Sequence, residues 1–355
     1  MAQSSPPLAV FGATGYTGRL VCEEARKVGL PLRLVGRRAD RLREVAENGE
    51  ETRLAEAGDE AGLRAAFEGA FAVASCVGPF LELGTGPLRA ALAAGAHYVD
   101  TSGEQAFARL AYEGFDGEAK RRGVVVLTSF GFDFVPGDLA ARLAADGLEP
   151  LEEVAVAYSA AGTSVSRGTR RTLGSILRQP QVAYVGGTLV SSSFAATTRS
   201  FEFPFGRRAA LEWGGAEPLT VPRHTQVREV RSYVRAPALV AKLRRLLPLG
   251  TPLLRLAAGV LGDPSEERRR DSRFAVVAEA HGPRGSSRAT LTGRDVYRLT
   301  ALIVTRAAQA LLAGEVRATG ALAPAEAFDA RAFAEGLAPL LTIESVTPIE
   351  ARSRS

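Results

Sequence analysis

Short apolar runs rich in β-branched residues alternate with stretches of helical periodicity about a dozen residues long through the first part of the chain, the pattern of βαβ units. Leu8-Ala9-Val10-Phe11 predicts a first strand, followed by a helix from Tyr16 to Val28. Leu32 to Val35 predicts a second strand, and Arg38 to Asn48 a helix with Leu42 and Val45 turned inward. A weak strand over Thr52 to Ala55 precedes Asp59, whose carboxylate suits the N-cap of a helix running to Phe67. Phe71 to Cys76 predicts a strand and Pro87 to Ala94 a helix closed by Gly95. Two further strands are His97 to Val99 and Val124 to Leu127. The helix between them ends in Lys120-Arg121-Arg122-Gly123, where cations and a glycine suit a helix C-terminus. The order predicts an α/β fold with a doubly wound, Rossmann-like parallel sheet. After about Pro136 the period changes. Val154–Tyr158, Thr188–Val190, Arg199–Phe205, Val227–Val234, Phe274–Ala280 and the residues around Leu291 and Thr292 predict strands, so a second α+β domain carries a mixed or antiparallel sheet. Tyr297–Ala313 and Ala325–Leu341 predict two late helices.

The turn after the first strand reads Gly12-Ala13-Thr14-Gly15-Tyr16-Thr17-Gly18. Between a strand and a helix, such glycines suit a dinucleotide diphosphate: one for the turn, one for close approach of the ligand, one for helix–strand packing. Amides at the helix start and the helix dipole complete an anion site. An NAD site places an acid at the end of the second strand for the ribose 2′-OH. Here the strand ends in Gly36-Arg37-Arg38, and two guanidiniums suit a 2′-phosphate instead. The expected cofactor is therefore NADP(H). Cys76-Val77-Gly78-Pro79 follows the fourth strand, at the edge where α/β sheets bind ligands. It forms either a stiff turn against the cofactor or simply the strand's end.

Composition narrows the classes. The 355 residues are 46% hydrophobic and 23% charged, ordinary for a globular chain. Cys22 and Cys76 are the only cysteines and His97, His224 and His281 the only histidines, which argues against a disulfide framework or a metal site and for a reducing, cytoplasmic setting. The N-terminus reads as having no signal peptide. Net charge is +5, and Lys27, Lys120 and Lys242 are the only lysines among 44 basic residues. The arginines are scattered, without a basic helix or aromatic-rich RNA motif, so nucleic acid is not an expected partner. The Leu-rich stretch 236–262 carries interspersed cations. It reads as a buried hairpin or as a peripheral contact for a membrane surface or an acyl carrier.

Several segments together resemble the saccharopine dehydrogenase-like oxidoreductases, in particular the trans-acting enoyl reductase branch. They are the glycine turn, Gly36-Arg37, Gly78-Pro79-Phe80, His97-Tyr98-Val99-Asp100-Thr101-Ser102-Gly103-Glu104, Gly131-Phe132-Asp133-Phe134-Val135-Pro136-Gly137-Asp138, Arg167-Gly168-Thr169, Tyr297-Arg298-Leu299-Thr300-Ala301 and Pro324-Ala325-Glu326-Ala327-Phe328. The resemblance implies an NADP-binding domain of residues 1–135 to which the C-terminal part, about 320–355, returns. Residues 136–319 then form a domain for substrate and dimerisation, so a homodimer is expected. Leu83 and Ala91 stand where the family commonly has Tyr and Cys.

No tyrosine is followed four residues later by lysine, so the Tyr–Lys acid pair of short-chain reductases is absent. Hydride transfer still needs a group that gives or takes a proton. Asp133, Tyr98 and Glu104 follow or end strands and are the candidates; Asp133 and Glu104 equally suit a cap or a first helical turn. The expected function is NADP(H)-dependent reduction of a C=C (enoyl) or C=N bond in a small acyl or amino-acid-derived substrate. The alternatives are a non-catalytic NADP(H)-sensing regulator and a lipid-surface protein.

Overall fold

The computed structural model describes residues 5–47, 49–162, 180–236 and 265–349. The chain forms two compact units.

The first unit comprises residues up to Gly103, Phe107–Phe132 and Tyr297–Leu322. Its strands are β1 (Leu8–Phe11), β2 (Leu32–Gly36), β3 (Glu51–Leu54), β4 (Ala72–Ser75), β5 (His97–Asp100) and β6 (Val125–Leu127), with Gly320–Ala321 (β15) pairing beside β6. They lie in the order β15-β6-β5-β4-β1-β2-β3, all parallel, so the direction of winding reverses beside β1. Such a sheet needs helices on both faces, and β1, β2 and β4 accordingly have every residue buried. The helices are α1 (Tyr16–Lys27), α2 (Ala39–Val45), α3 (Glu60–Phe67), α4 (Phe80–Leu83), α5 (Thr85–Ala93) and α6 (Gln105–Arg122). Asp59 caps α3 as its position predicts, with Oδ1 accepting from Gly62 N at 2.9 Å. The one-turn helix α4 was not evident in the sequence, because Gly78-Pro79 read as a loop.

The second unit comprises Glu104–Ala106, Asp133–Val296 and Ala323 onward. It opens with α7 (Val135–Ala145), which lies on β7 (Leu151–Ala161), β13 (Arg273–Gly282) and β14 (Gly285–Arg294). The sheet also contains β8 (Gln181–Val185), β9 (Thr188–Ser192), β10 (Thr198–Phe203), β11 (Gly206–Glu212), β12 (Val227–Arg235) and β16 (Leu341–Pro348). Its order is β10-β11-β12-β7-β13-β14-β16, with β8 joining β12 and β9. Only β12 and β7 run parallel, so the sheet is mixed, as predicted.

Two expectations need correction. The segment that returns to the first unit is 297–322, carrying the helix Val296–Ala313, and not 320–355. Residues 323 onward stay with the second unit because β16 pairs with β14. The helix expected over Ala325–Leu341 is two short helices, Pro324–Ala327 and Ala330–Glu335. Asp329 restarts the chain as a cap, accepting from Ala332 N at 2.9 Å, and Gly336 ends it. The segment Val135–Ala145 is helical. Proline is well placed in a first helical turn, where its missing N–H is not needed. Residues 237–262 and the Arg167-Gly168-Thr169 segment lie outside the described residues.

Candidate functional site

In the first unit the loop leaving β1 meets the loop leaving β4. Gly12 has φ +85°, a conformation that favours glycine, and a Cβ there would stand 2.6 Å from Val77 Cγ2. A Cβ on Gly18 would overlap the Gly12 carbonyl oxygen, so Gly18 lets α1 sit tightly on the loop. Gly12 and Gly18 are thus required by the fold itself. Gly15 differs. Its φ is −76°, and a Cβ there would meet only Gly12 O, at 3.2 Å. The missing side chain therefore mainly keeps the front of α1 open. That front has no side-chain cap and no acidic residue in its first turn, leaving its amides and dipole for an anion. The loop is braced by Gly15 N to Gly12 O, 2.9 Å, and by Arg19 Nε to Thr14 O, 3.2 Å. Tyr16 and Thr17 begin the helix, and the Tyr16 ring packs edge-on against Tyr297, centroids 5.0 Å apart.

Phe11 pairs in register with Val35, so the loop after β1 and Gly36-Arg37-Arg38 leave the same sheet edge on adjacent strands. Both arginines are exposed, and neither pairs with a carboxylate among the described residues. Arg33, one turn of the pleat earlier, is engaged instead: it bonds Glu51 at 2.6 Å and the carbonyls of Ala66 and Glu68. On the other side of β1, Cys76 N donates to Phe11 O at 2.9 Å. Burial pushes the Cys76 thiol upward, so it stays protonated, while Val77 touches Gly12 and Gly78 is exposed. Pro79 is the N-cap of α4.

The ends of β5 and β6 are tied together by Asp100. Its Oδ1 accepts from Ser102 N and Ser129 N, both at 2.9 Å, and its carbonyl accepts from Phe130 N at 2.7 Å. Nearby, Ser75 Oγ, Thr128 Oγ1 and Ser129 Oγ are buried without a hydrogen bond of good geometry. The segment beginning at Tyr297 also has a structural account. Tyr297 meets Tyr16, Arg298 bonds Glu23 and Glu24, and Thr300 Oγ1 accepts from Phe132 N at 3.1 Å.

The three proton-donor candidates separate clearly. Tyr98 is fully buried in β5, where burial first and Asp100 second raise its hydroxyl far above the ordinary range. Glu104 is also fully buried. Asp133 reaches solvent and makes no hydrogen bond or ion pair among the described residues, yet the surrounding protein displaces enough water from its carboxyl to push it up to about 6.

Sequence reading missed a polar centre in the second unit that adjoins Asp133 along the chain. Tyr158 Oη accepts from Gly137 N at 3.0 Å and donates to Glu217 Oε1 at 2.6 Å; Ser232 Oγ donates to Glu217 Oε2 at 2.5 Å. Glu217 has no cation beside it among the described residues, and burial pushes its carboxyl up to about 7 despite those hydrogen bonds. A Cβ on Gly137 or on Gly215 would overlap its oxygens, so two glycines make room for it. Trp213 packs on both Phe134 and Tyr158, centroids 6.0 and 5.9 Å away. Beside this, Asp138 bonds His224 Nε2 at 2.9 Å and Ala325 N at 2.8 Å. Burial alone would raise Asp138, but His224 and the hydrogen bonds hold it below the usual carboxylate range. Glu217 and Tyr158 sit on separate segments with no motif spacing, and the glycines were the only signal in the sequence.

Residues 12–166 match the family model described as NAD(P)H-binding. A saccharopine dehydrogenase-like oxidoreductase of Homo sapiens is 34% identical over 152 residues, covering 37% of this chain and 35% of that protein. A trans-acting enoyl reductase of Mycobacterium tuberculosis (strain ATCC 25177 / H37Ra) is 32% identical over 140 residues, 37% of this chain and 34% of that protein. The matching stretch thus spans about a third of the length of these curated relatives. Apo saccharopine dehydrogenase (L-Glu forming) from Saccharomyces cerevisiae superposes with a TM-score of 0.66 over 97% of this chain and 100% of that one, at 12% identity. At that identity the likeness is one of fold. The resemblance expected from the motifs is present, in sequence over 37% of the chain and in fold over nearly all of it.

Proposed function

We propose that this relative of the saccharopine dehydrogenase-like oxidoreductases is an NADP(H)-dependent enzyme that reduces a C=C (enoyl) or C=N bond of an acyl or amino-acid-derived substrate. The observation that carries the reading is the open, uncapped start of α1 beside the guanidiniums of Arg37 and Arg38, which have no ion pair among the described residues. Amides of the Gly12–Gly18 turn receive the diphosphate, and Gly15 leaves the space for it. Arg37 and Arg38 receive the 2′-phosphate, which NAD(H) lacks. Val77, Cys76, Gly78 and Pro79 wall the same edge. When bound, the nicotinamide supplies the hydride. Asp133 holds the proton that completes the reduction, its raised carboxyl suiting a general acid near neutral pH. A homodimer in the cytoplasm belongs to the same proposal.

The test follows NADPH absorbance with purified protein and two panels, trans-2-enoyl thioesters and cyclic imines. Substrate-dependent oxidation of NADPH, with NADH much poorer, supports the reading. Tight NADPH binding without turnover on either panel replaces it with a sensor of the cofactor, and absence of nucleotide binding overturns it.

A further inference from the structure

The second unit holds a cavity of about 480 Å³ between the ends of β7, β12, β13, β14 and β16 and the β10–β11 turn. This is within the size range of small-molecule sites. Among the described residues its lining includes three arginines, Arg235, Arg273 and Arg294, and neither Asp nor Glu. The remainder is mainly apolar, with Phe205 and Phe274 as the large side chains. Arg273 is fixed by donating to the carbonyls of Arg270 and Ser272, at 2.8 and 3.1 Å. Arg235 and Arg294 are exposed and form no ion pair among the described residues. Arg235 lies over the Phe205 ring, 5.3 Å from its centroid, and Arg208 lies over the same ring at 5.6 Å. Phe205 is 45% exposed and is stacked on Phe203 at 5.3 Å.

Like charges gathered at one mouth repel, and several other arginines of this sheet are held by acids: Arg199 has Glu153 and Glu279, Arg231 has Glu212, and Arg288 has Glu279. At the cavity none of the three arginines has such a partner among the described residues. Guanidinium forks match the oxygens of a phosphate, and an exposed aromatic ring beside them offers an apolar surface for whatever the phosphate is attached to. We propose that this cavity binds a small alkyl or acyl phosphate, its head on Arg235, Arg273 and Arg294 and its chain against Phe205 and Phe274. The site is built from the second unit alone, so it stands or falls separately from the NADP(H) proposal.

The probe is octyl phosphate below its micellar concentration, titrated by calorimetry into the full chain without nucleotide. Inorganic phosphate and 1-octanol serve as the head-only and chain-only ligands. Octyl phosphate binds saturably and at least ten times more tightly than either. Arg235→Ser and Arg294→Ser each weaken it about tenfold, while Phe205→Ala weakens octyl phosphate and leaves inorganic phosphate unchanged. These side chains are exposed and melting temperatures verify the fold; a variant that misfolds leaves the other two to decide. Gly15→Val leaves octyl phosphate binding intact, separating this cavity from the glycine turn. No saturable binding, unchanged affinity in both arginine variants, loss on Gly15→Val, or binding only to phosphatidic acid vesicles overturns the proposal.

Discussion

Replacing Arg37 and Arg38 together by alanine tests the assignment of the 2′-phosphate. Both side chains are exposed and neither forms an ion pair among the described residues, so removing them takes no support from the fold. The structural guanidinium on that strand, Arg33 with Glu51, is untouched. A charge-assisted hydrogen bond contributes roughly 1.5–3 kcal/mol. At a mouth open to water the lower end applies, and about 2 kcal/mol for the pair corresponds to ~30-fold in affinity. NADPH therefore binds about 30-fold more weakly, while NADH, lacking the phosphate, changes by no more than about twofold. Calorimetric titration of both nucleotides into wild type and variant reads the two numbers directly. Raising the salt narrows the NADPH difference, because part of it is screened. Equal losses for the two nucleotides, or none for either, refute the reasoning.

Three other outcomes check separate parts of the site. Gly15→Val fills the space in front of α1 and removes measurable binding of both NADPH and NADH; unchanged affinity in the same titration takes the turn out of the site. Asp133→Asn lowers the rate of reduction by about a hundredfold or more; wild-type kcat declines as pH rises through about 6, and the variant's profile is flat there. Glu217→Gln alters the pH dependence of stability. A carboxyl raised in the folded state to about 7 favours folding in its protonated form. Its stabilisation is present below the unfolded value of about 4.3 and is lost as pH rises to about 7. Denaturant unfolding of the wild type at acid and at slightly alkaline pH should show a loss from this group of order 3 kcal/mol that the glutamine variant lacks; parallel curves would contradict an uncompensated buried acid.

Most of the first unit was legible because strands such as β1 and β2 are local apolar runs bounded by glycine or proline, and helices such as α3 carry a local cap, Asp59. The second unit was legible only as a class. Gln181–Val185 and Gly206–Glu212 escaped notice since their stability comes from neighbours far along the chain: Val230 pairs with Tyr184 and Leu211 with Val234. Leu341–Pro348 was not predicted as a strand although its alternating burial suits one, because only pairing with β14 gives that alternation a face to bury. The proton-donor candidates show the same limit. Tyr98, Glu104 and Asp133 had equal standing as residues near strand ends, and only burial separates one exposed acid from two enclosed groups.

The amino-acid sequence by itself determined the strand–turn–helix that opens the chain, its open glycine turn, and the absence of an acid where Arg37 and Arg38 stand. These are short-range properties, set by backbone freedom and by residue identity at one sheet edge. Which residues return to the first unit, why Glu217 lies beside Tyr158 and Ser232, and where three arginines line one cavity with no carboxylate among its described lining residues were decided by tertiary structure. Each of those depends on segments tens of residues apart meeting in a packed interior, where the loss of water, rather than local preference, sets how a charge behaves.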